Sequence, residues 1–320
     1  MTLAASLRRS LFGVSTDEVR FVRRQFRGDD PRAIARIEGI GATFLTGYHA
    51  ALTDSSPAPL AARLGEVALE ERGFAFEGAG MALTLLDAAS PFGKQRLARF
   101  LEGPGNPHEY MVNIGAGWAI ARLGGFSRRL GRLSQLGRFL ALDGLGFHMG
   151  YFKTAAYVDQ QQAPRRLAGH DARAFDQGLG RSLWFVEGAG PDRIAATIAR
   201  FPEPRHADLW AGAGLACAYA GGVERAVLEA TRDRAGPHLA PLAQGAAFAA
   251  MARARAGNPA AHTALACEIL WRRPLDEVVG LARAGGEGLP PDGEVPAYEV
   301  WRTRIQQSFL ANASTTARAS

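Results

Sequence analysis

One set of short glycine-spaced motifs occurs twice in this chain, in the same order, and that repetition constrains the fold more than any other feature. Gly47-Tyr48 returns as Gly150-Tyr151, and Phe76-Glu77-Gly78-Ala79-Gly80 returns as Asp176-Gln177-Gly178-Leu179-Gly180. Arg99-Phe100 returns as Arg200-Phe201, and Gly115-Ala116-Gly117-Trp118-Ala119 returns as Gly212-Ala213-Gly214-Leu215-Ala216. The offsets are 103, 100, 101 and 97 residues, nearly one spacing. A body built from two related units of roughly 100 residues is expected, with a period above that of the short solenoid repeats.

The units read as helical. Asp30-Pro31, Ser90-Pro91, Asn106-Pro107, Asn258-Pro259 and Gly190-Pro191-Asp192 each set a capping residue or glycine before a proline at the first helical position. Apolar residues then recur at three and four, as in Ile34, Ile37, Ile40 and Phe44. Strand-like alternation is nearly absent; the best case, Leu183-Trp184-Phe185-Val186, aligns with Leu83-Thr84-Leu85-Leu86, which reads as helix. The expected class is all-α, with around a dozen helices. Glycine weakens a helix interior by up to about 1 kcal/mol, so 38 glycines need a reason. The Gly-x-Gly spacing beside alanine supplies one: a small-residue stripe lets helix backbones approach closely, and Gly117 and Gly214 are expected at such contacts.

The expected organisation is a basic N-terminal appendage over 1–30, repeat halves over 31–130 and 131–225, C-terminal helices over 226–312 on the same body, and a frayed tail over 313–320. Apolar residues make up 47% and charged residues 21%, a globular profile. No apolar run approaches the ~18 residues of a membrane span, and no signal-peptide core follows Arg8 and Arg9, so a cytoplasmic protein is expected. Cys217 and Cys267 lie in no ligand spacing, so neither a disulfide framework nor a metal site is encoded, and no cofactor is expected. The net charge is +6, nearly all from arginine, since Lys94 and Lys153 are the only lysines. A basic surface suits an acidic carrier protein or a membrane-bound partner; no nucleic-acid motif frames the arginines. Gly115-Ala116-Gly117 and Gly188-Ala189-Gly190 lack the strand before and the helix after that a dinucleotide site requires.

Polar residues placed inside the glycine motifs are the candidates for chemistry. Glu77 and Gln177 each stand immediately before a glycine pair, and Gln244 stands before Gly245 in the same way. His108, His148 and Asp208 with Glu77 are the candidate acid–base groups. Tyr110, Trp118, Arg181, Trp184 and Trp210 are the candidate substrate-binding residues, lining an apolar cavity between the halves with Arg181 paired to Glu77 or Asp208.

The runs Glu71-Arg72-Gly73-Phe74-Ala75-Phe76-Glu77-Gly78-Ala79-Gly80, His108-Glu109-Tyr110-Met111, Asp143-Gly144-Leu145-Gly146-Phe147-His148 and Asp208-Leu209-Trp210, with the glycine motifs above, resemble the bacterial family of domain of unknown function 1702. The resemblance covers about residues 6 to 305. Members include the UnbL-type proteins encoded beside enediyne polyketide synthases, so the resemblance implies natural-product assembly on an apolar, polyene-like polyketide intermediate. It carries no catalytic residue over. Two alternatives stand beside this one. The first is a terpene-cyclase-like enzyme, although only Asp29-Asp30 offers anything like an aspartate-rich metal motif; the second is a non-catalytic helical scaffold that docks a carrier protein or a membrane partner.

Overall fold

The computed structural model describes residues 3–90, 95–124 and 126–319, with side chains over 6–90, 95–124 and 128–312. It is all-helical, with no strand among the described residues. The α-helices number 17 rather than a dozen, because many are short. In chain order they are α1 Leu3–Phe12, α2 Phe21–Arg24, α3 Pro31–Thr53, α4 Pro57–Gly65, α5 Arg72–Ala88, α6 Arg96–Leu101, α7 Glu109–Leu123, α8 Phe126–Leu130 and α9 Gln135–Phe152. There follow α10 Gly169–Val186, α11 Pro191–Ala199, α12 His206–Ala220, α13 Arg225–Ala235, α14 Leu239–Ala256, α15 Ala261–Trp271, α16 Leu275–Gly285 and α17 Ala297–Ala319. The strand-like run 183–186 is the last turn of α10. The start at Pro91 lies outside the described residues. α17 is described to Ala319.

Capping explains several starts. The Asp30 carboxylate accepts the Arg32 amide at 2.9 Å with Pro31 at the first position of α3, and Ser134 Oγ accepts the Gly137 amide of α9 at 3.1 Å.

The long helices α3, α5, α7, α9, α10, α12 and α14 form an inner row in which each packs along the next, and short helices or turns return the chain between them. Glycine sets this packing. On five successive inner helices a Gly-x-Gly pair recurs, at 78/80, 115/117, 144/146, 178/180 and 212/214, and Gly245 follows on α14. In every pair the first glycine faces the backbone of the preceding helix and the second that of the following one. Gly115 lies against Glu77 and Gly117 against Ala141, while Gly212 lies against Gln177 and Gly214 against Leu242. The close-contact expectation for Gly117 and Gly214 is met: a Cβ added there would sit 2.0 Å from the Ala141 carbonyl oxygen and 1.9 Å from that of Leu242. The helix-propensity cost is offset by backbone approach that no other residue permits.

The row curls until its first and sixth members touch. Arg36 Nε of α3 donates to the Ala220 carbonyl at 2.8 Å, and Trp184 Nε1 of α10 donates to the Gly221 carbonyl at 3.3 Å. Gly221 and Gly222, at φ +63° and +88°, turn the chain away from this seam, a conformation that favours glycine. α14 and α17 then pack across the end of the ring that holds the N-terminal halves of α7, α9 and α10. The segment 19–27 packs on the same body: Val19, Phe21 and Phe26 are buried, and Arg27 reaches Glu187 at 2.7 Å.

Candidate functional site

The six helices from α3 to α12 surround a cavity of about 450 Å³, whose mouth is bordered by the segment from Gly13 to Val19. Its wall follows from the helix register. Residues three places beyond the first glycine of each pair, Met81, Trp118, Phe147, Arg181 and Leu215, all line it. A further turn on, Arg122, Tyr151, Phe185 and Tyr219 line it as well. One turn the other way, just before three of the five pairs, stand Glu77, Asp143 and Gln177, all buried; Glu77 lines the base of the cavity, and the other two line a smaller pocket. A spacing of three to four residues is one helical turn, about 5.4 Å of rise, so the wall is built in layers: polar at the base, aromatic in the middle, mixed at the mouth.

The aromatic layer is continuous. Phe44 and Trp118 lie 4.4 Å apart between ring centres, Trp118 and Phe147 5.1 Å, and Phe147 and Phe185 5.1 Å. Arg181 lies with its guanidinium 4.6 Å over the Phe147 ring, 3.0 Å from Asp143 Oδ1 and 3.7 Å from Glu77 Oε1. Gln177 Nε2 donates to Asp143 Oδ2 at 3.0 Å and to the Tyr298 hydroxyl at 2.9 Å. One cation thus serves two buried carboxyls, and both are held above the ordinary carboxylate range, first by burial. Asp143 has Gln177 and the nearer Arg181 contact to offset its burial, whereas Glu77 has the longer Arg181 contact. Burial lifts Glu77 from 4.5 to about 7, against the pull of Arg181 and with the help of the Asp143 charge.

His148 also lines the cavity, its ring 5.7 Å from that of Trp118. Burial, and then the charges of Arg122 and Lys153, drive it down to about 3, so it is neutral at physiological pH. That makes it a weak base, and the better-matched proton carrier is Glu77.

The expected cluster of six polar residues around one cavity does not form. Glu77, His148 and Arg181 meet there with Trp118, whereas the others sit elsewhere. His108 stacks on Phe76 at 3.8 Å, outside the lining, because its ring closes the start of α7 against α5. Tyr110 lines a second, much smaller pocket beside Asp143, Gln177, Tyr298 and Trp301. Asp208 accepts from Arg302 Nη2 at 2.6 Å and Arg173 Nε at 3.0 Å, a buried tie between α12, α17 and α10, so the partner of Arg181 is Asp143 with Glu77 and not Asp208. Trp184 is fully buried at the ring seam, and Trp210 is buried without lining either of these two pockets. Asp143 is the residue that sequence reasoning missed. Its signal was its register: like Glu77 and Gln177, it immediately precedes a glycine pair.

Among the described residues no group of three or more His, Cys, Asp or Glu side chains is arranged to hold a metal ion, and no helix is long and apolar enough to cross a membrane. The family model described as "Protein of unknown function (DUF1702)" matches residues 3–309. The chain belongs to this family. Comparison with curated proteins and with solved structures finds no match in either. The match spans α3 to α14 and thus the whole cavity wall, so the ring lies within the family's shared sequence.

The proton on Glu77 has a measurable consequence in this family member. A carboxyl whose pKa rises from 4.5 unfolded to about 7 folded binds its proton more tightly in the native state. Its contribution to stability is therefore full below about pH 4.5, falls as pH rises to about 7, and is level above that. Glu77→Gln lacks this fall. Denaturant midpoints of parent and variant measured from pH 4.5 to 8 should diverge, the variant gaining on the parent up to pH 7; the histidine contributions cancel in the difference. Parallel curves would remove Glu77 as the proton holder.

Proposed function

We propose that this protein acts in natural-product biosynthesis on an apolar, polyene-like, polyketide-derived intermediate held in the ring cavity, with Glu77 as its proton donor and acceptor. The observation that carries this reading is a half-buried aromatic cavity with a carboxyl at its base whose pKa is near neutrality. A conjugated chain matches stacked ring faces, and a group titrating near the working pH is the one suited to proton transfer. Arg181 and Asp143 are positioning residues: Asp143 fixes the guanidinium, and the guanidinium keeps Glu77 turned to the cavity. On the same reading the protein works in the cytoplasm, and the ~100-residue duplication is three inner helices with their returns counted together.

The test is product formation in the producing strain. Glu77→Gln keeps the shape and removes the titrating proton, and it should lower product at least tenfold, since general acid–base catalysis contributes roughly 10²–10⁴. His148→Ala should have a smaller effect. Undiminished product with Glu77→Gln would reduce the protein to a binding role.

A second reading takes its support from the wall itself. Phe44, Trp118 and Phe185 would stabilise a carbocation through their faces, and a protonated Glu77 would start a terpene-cyclase-like reaction without a metal. Turnover of a polyprenyl substrate by the purified protein would favour it over the first. A scaffold that only docks a carrier or membrane partner has no use for the cavity.

A further inference from the structure

The base of the cavity is electrically matched, with Arg181 serving both Glu77 and Asp143. The mouth is not. Arg122 lines the cavity at the end of α7, and Lys153 caps the end of α9; both are exposed. Neither forms an ion pair with a carboxylate among the described residues, in a protein where most buried and half-buried arginines do. Of the two carboxylates that act on the Tyr151 hydroxyl, Glu18 is already taken by Arg24 at 2.6 Å and Arg23 at 3.4 Å, and Glu38 accepts the Phe21 amide at 2.8 Å. Arg122 and Lys153 act on one spot: both depress His148, and Arg122 also acts on the Tyr48 hydroxyl.

Several buried polar atoms of the lining, Trp118 Nε1 and Arg181 Nε among them, have no hydrogen bond, and two of these atoms belong to α9. The Tyr151 hydroxyl and His148 Nδ1 have no hydrogen bond, although Tyr151 is 5% exposed and His148 6%, and both residues line the cavity. Buried polar groups left unpaired cost on the order of 1–3 kcal/mol each, so a site that retains them is built to be completed by a ligand. Arg122 at the cavity and Lys153 at the end of α9, neither in an ion pair with a carboxylate among the described residues, also create a positive field that an anion would neutralise.

We propose that the ligand of this cavity is an amphiphile, with its apolar chain among the aromatic rings and an anionic head group, carboxylate or phosphate, at the mouth against Arg122, Lys153 and Tyr151. This rests on the apolar-cavity reading given above. The head group fixes the orientation, so the far end of the chain is delivered to Glu77, and the two ends of the cavity divide the work between holding and chemistry. A terminal anion also explains why Arg122 lines the mouth without a carboxylate partner among the described residues when the wall between is apolar.

The experiment is displacement of diphenylhexatriene, a neutral conjugated probe, by three ligands of equal chain length: palmitate, hexadecyl phosphate and hexadecanol. At least one anion should displace the probe at concentrations tenfold or more below hexadecanol, and the better of the two names the head group. Arg122→Gln with Lys153→Gln should bring both anions to the level of hexadecanol. Equal displacement by all three in the parent, or a preference that survives the double substitution, would overturn the head-group site and leave the apolar cavity standing. Failure of the probe to bind at all would overturn both.

Discussion

Gly117→Ala should lower the stability of this protein by at least about 3 kcal/mol, at the upper end of overpacking costs, although alanine is the better helix former by about 1 kcal/mol. The two effects oppose each other, and geometry decides. The new methyl carbon would stand 2.0 Å from the Ala141 carbonyl oxygen and 2.8 Å from the Leu145 nitrogen, and these are backbone atoms that cannot rotate away. Relief requires α7 and α9 to separate, which loosens the ring on both sides. Gly39 is the control. It lies inside α3, exposed, with nothing within 4 Å of an added Cβ, so Gly39→Ala should raise stability by up to about 1 kcal/mol. Urea denaturation of the two variants should therefore shift in opposite directions. Shifts of the same sign would show that the glycines are not there to let helices touch.

Arg302→Met should cost about 3–5 kcal/mol, the usual range for removing one partner from a buried ionic group. Arg302 is 1% exposed, and it joins Asp208 Oδ1 at 2.6 Å, Glu299 Oε2 at 3.1 Å and Gln244 Oε1 at 3.2 Å. Its loss leaves Asp208 and Glu299 sharing Arg173, at 3.0 and 2.7 Å, with His170 Nδ1 4.0 Å from Glu299. The position is also structural in a wider sense, because α17 reaches α12 and α14 through it. Asp208→Asn in the Arg302→Met background should recover part of the loss, since it removes one of the two stranded charges; the double-mutant cycle measured by chemical denaturation reads this coupling directly. Additive losses would show the two residues to be energetically independent.

The all-α class was legible because capping signals and three-four periodicity agree along most of the chain, and the close contacts were legible because glycine has few other uses in a helix interior. The spacing of about 100 residues was real, but the contact pattern repeats with every inner helix, the first glycines standing at 78, 115, 144, 178, 212 and 245. The short intervals were hidden because Gly144-Leu145-Gly146 was read as part of the run to His148, although it matches Gly178-Leu179-Gly180 residue for residue. Of the site, Glu77, Trp118 and Arg181 could be read because they stand inside the glycine motifs. His108 and Asp208 could not be told from them: a polar residue near a helix start serves a cavity or an ion pair according to its angular position around the ring, and one sequence does not give that angle. Asp143 was hidden by the opposite error, since its motif was read for its glycines and histidine.

Whether the ring is a binding chamber for an apolar conjugated ligand is decided most directly by titrating the protein with diphenylhexatriene while following energy transfer from Trp118, which lines the cavity. The parent should bind one equivalent saturably with transfer, and Trp118→Phe should bind with the transfer reduced, the other four tryptophans supplying the rest. Met81→Trp and Ala216→Phe, two separate ways of filling the same space, should each weaken binding more than tenfold while keeping a cooperative melt. No saturable binding by the parent, or unchanged binding by both filled variants, would contradict the account.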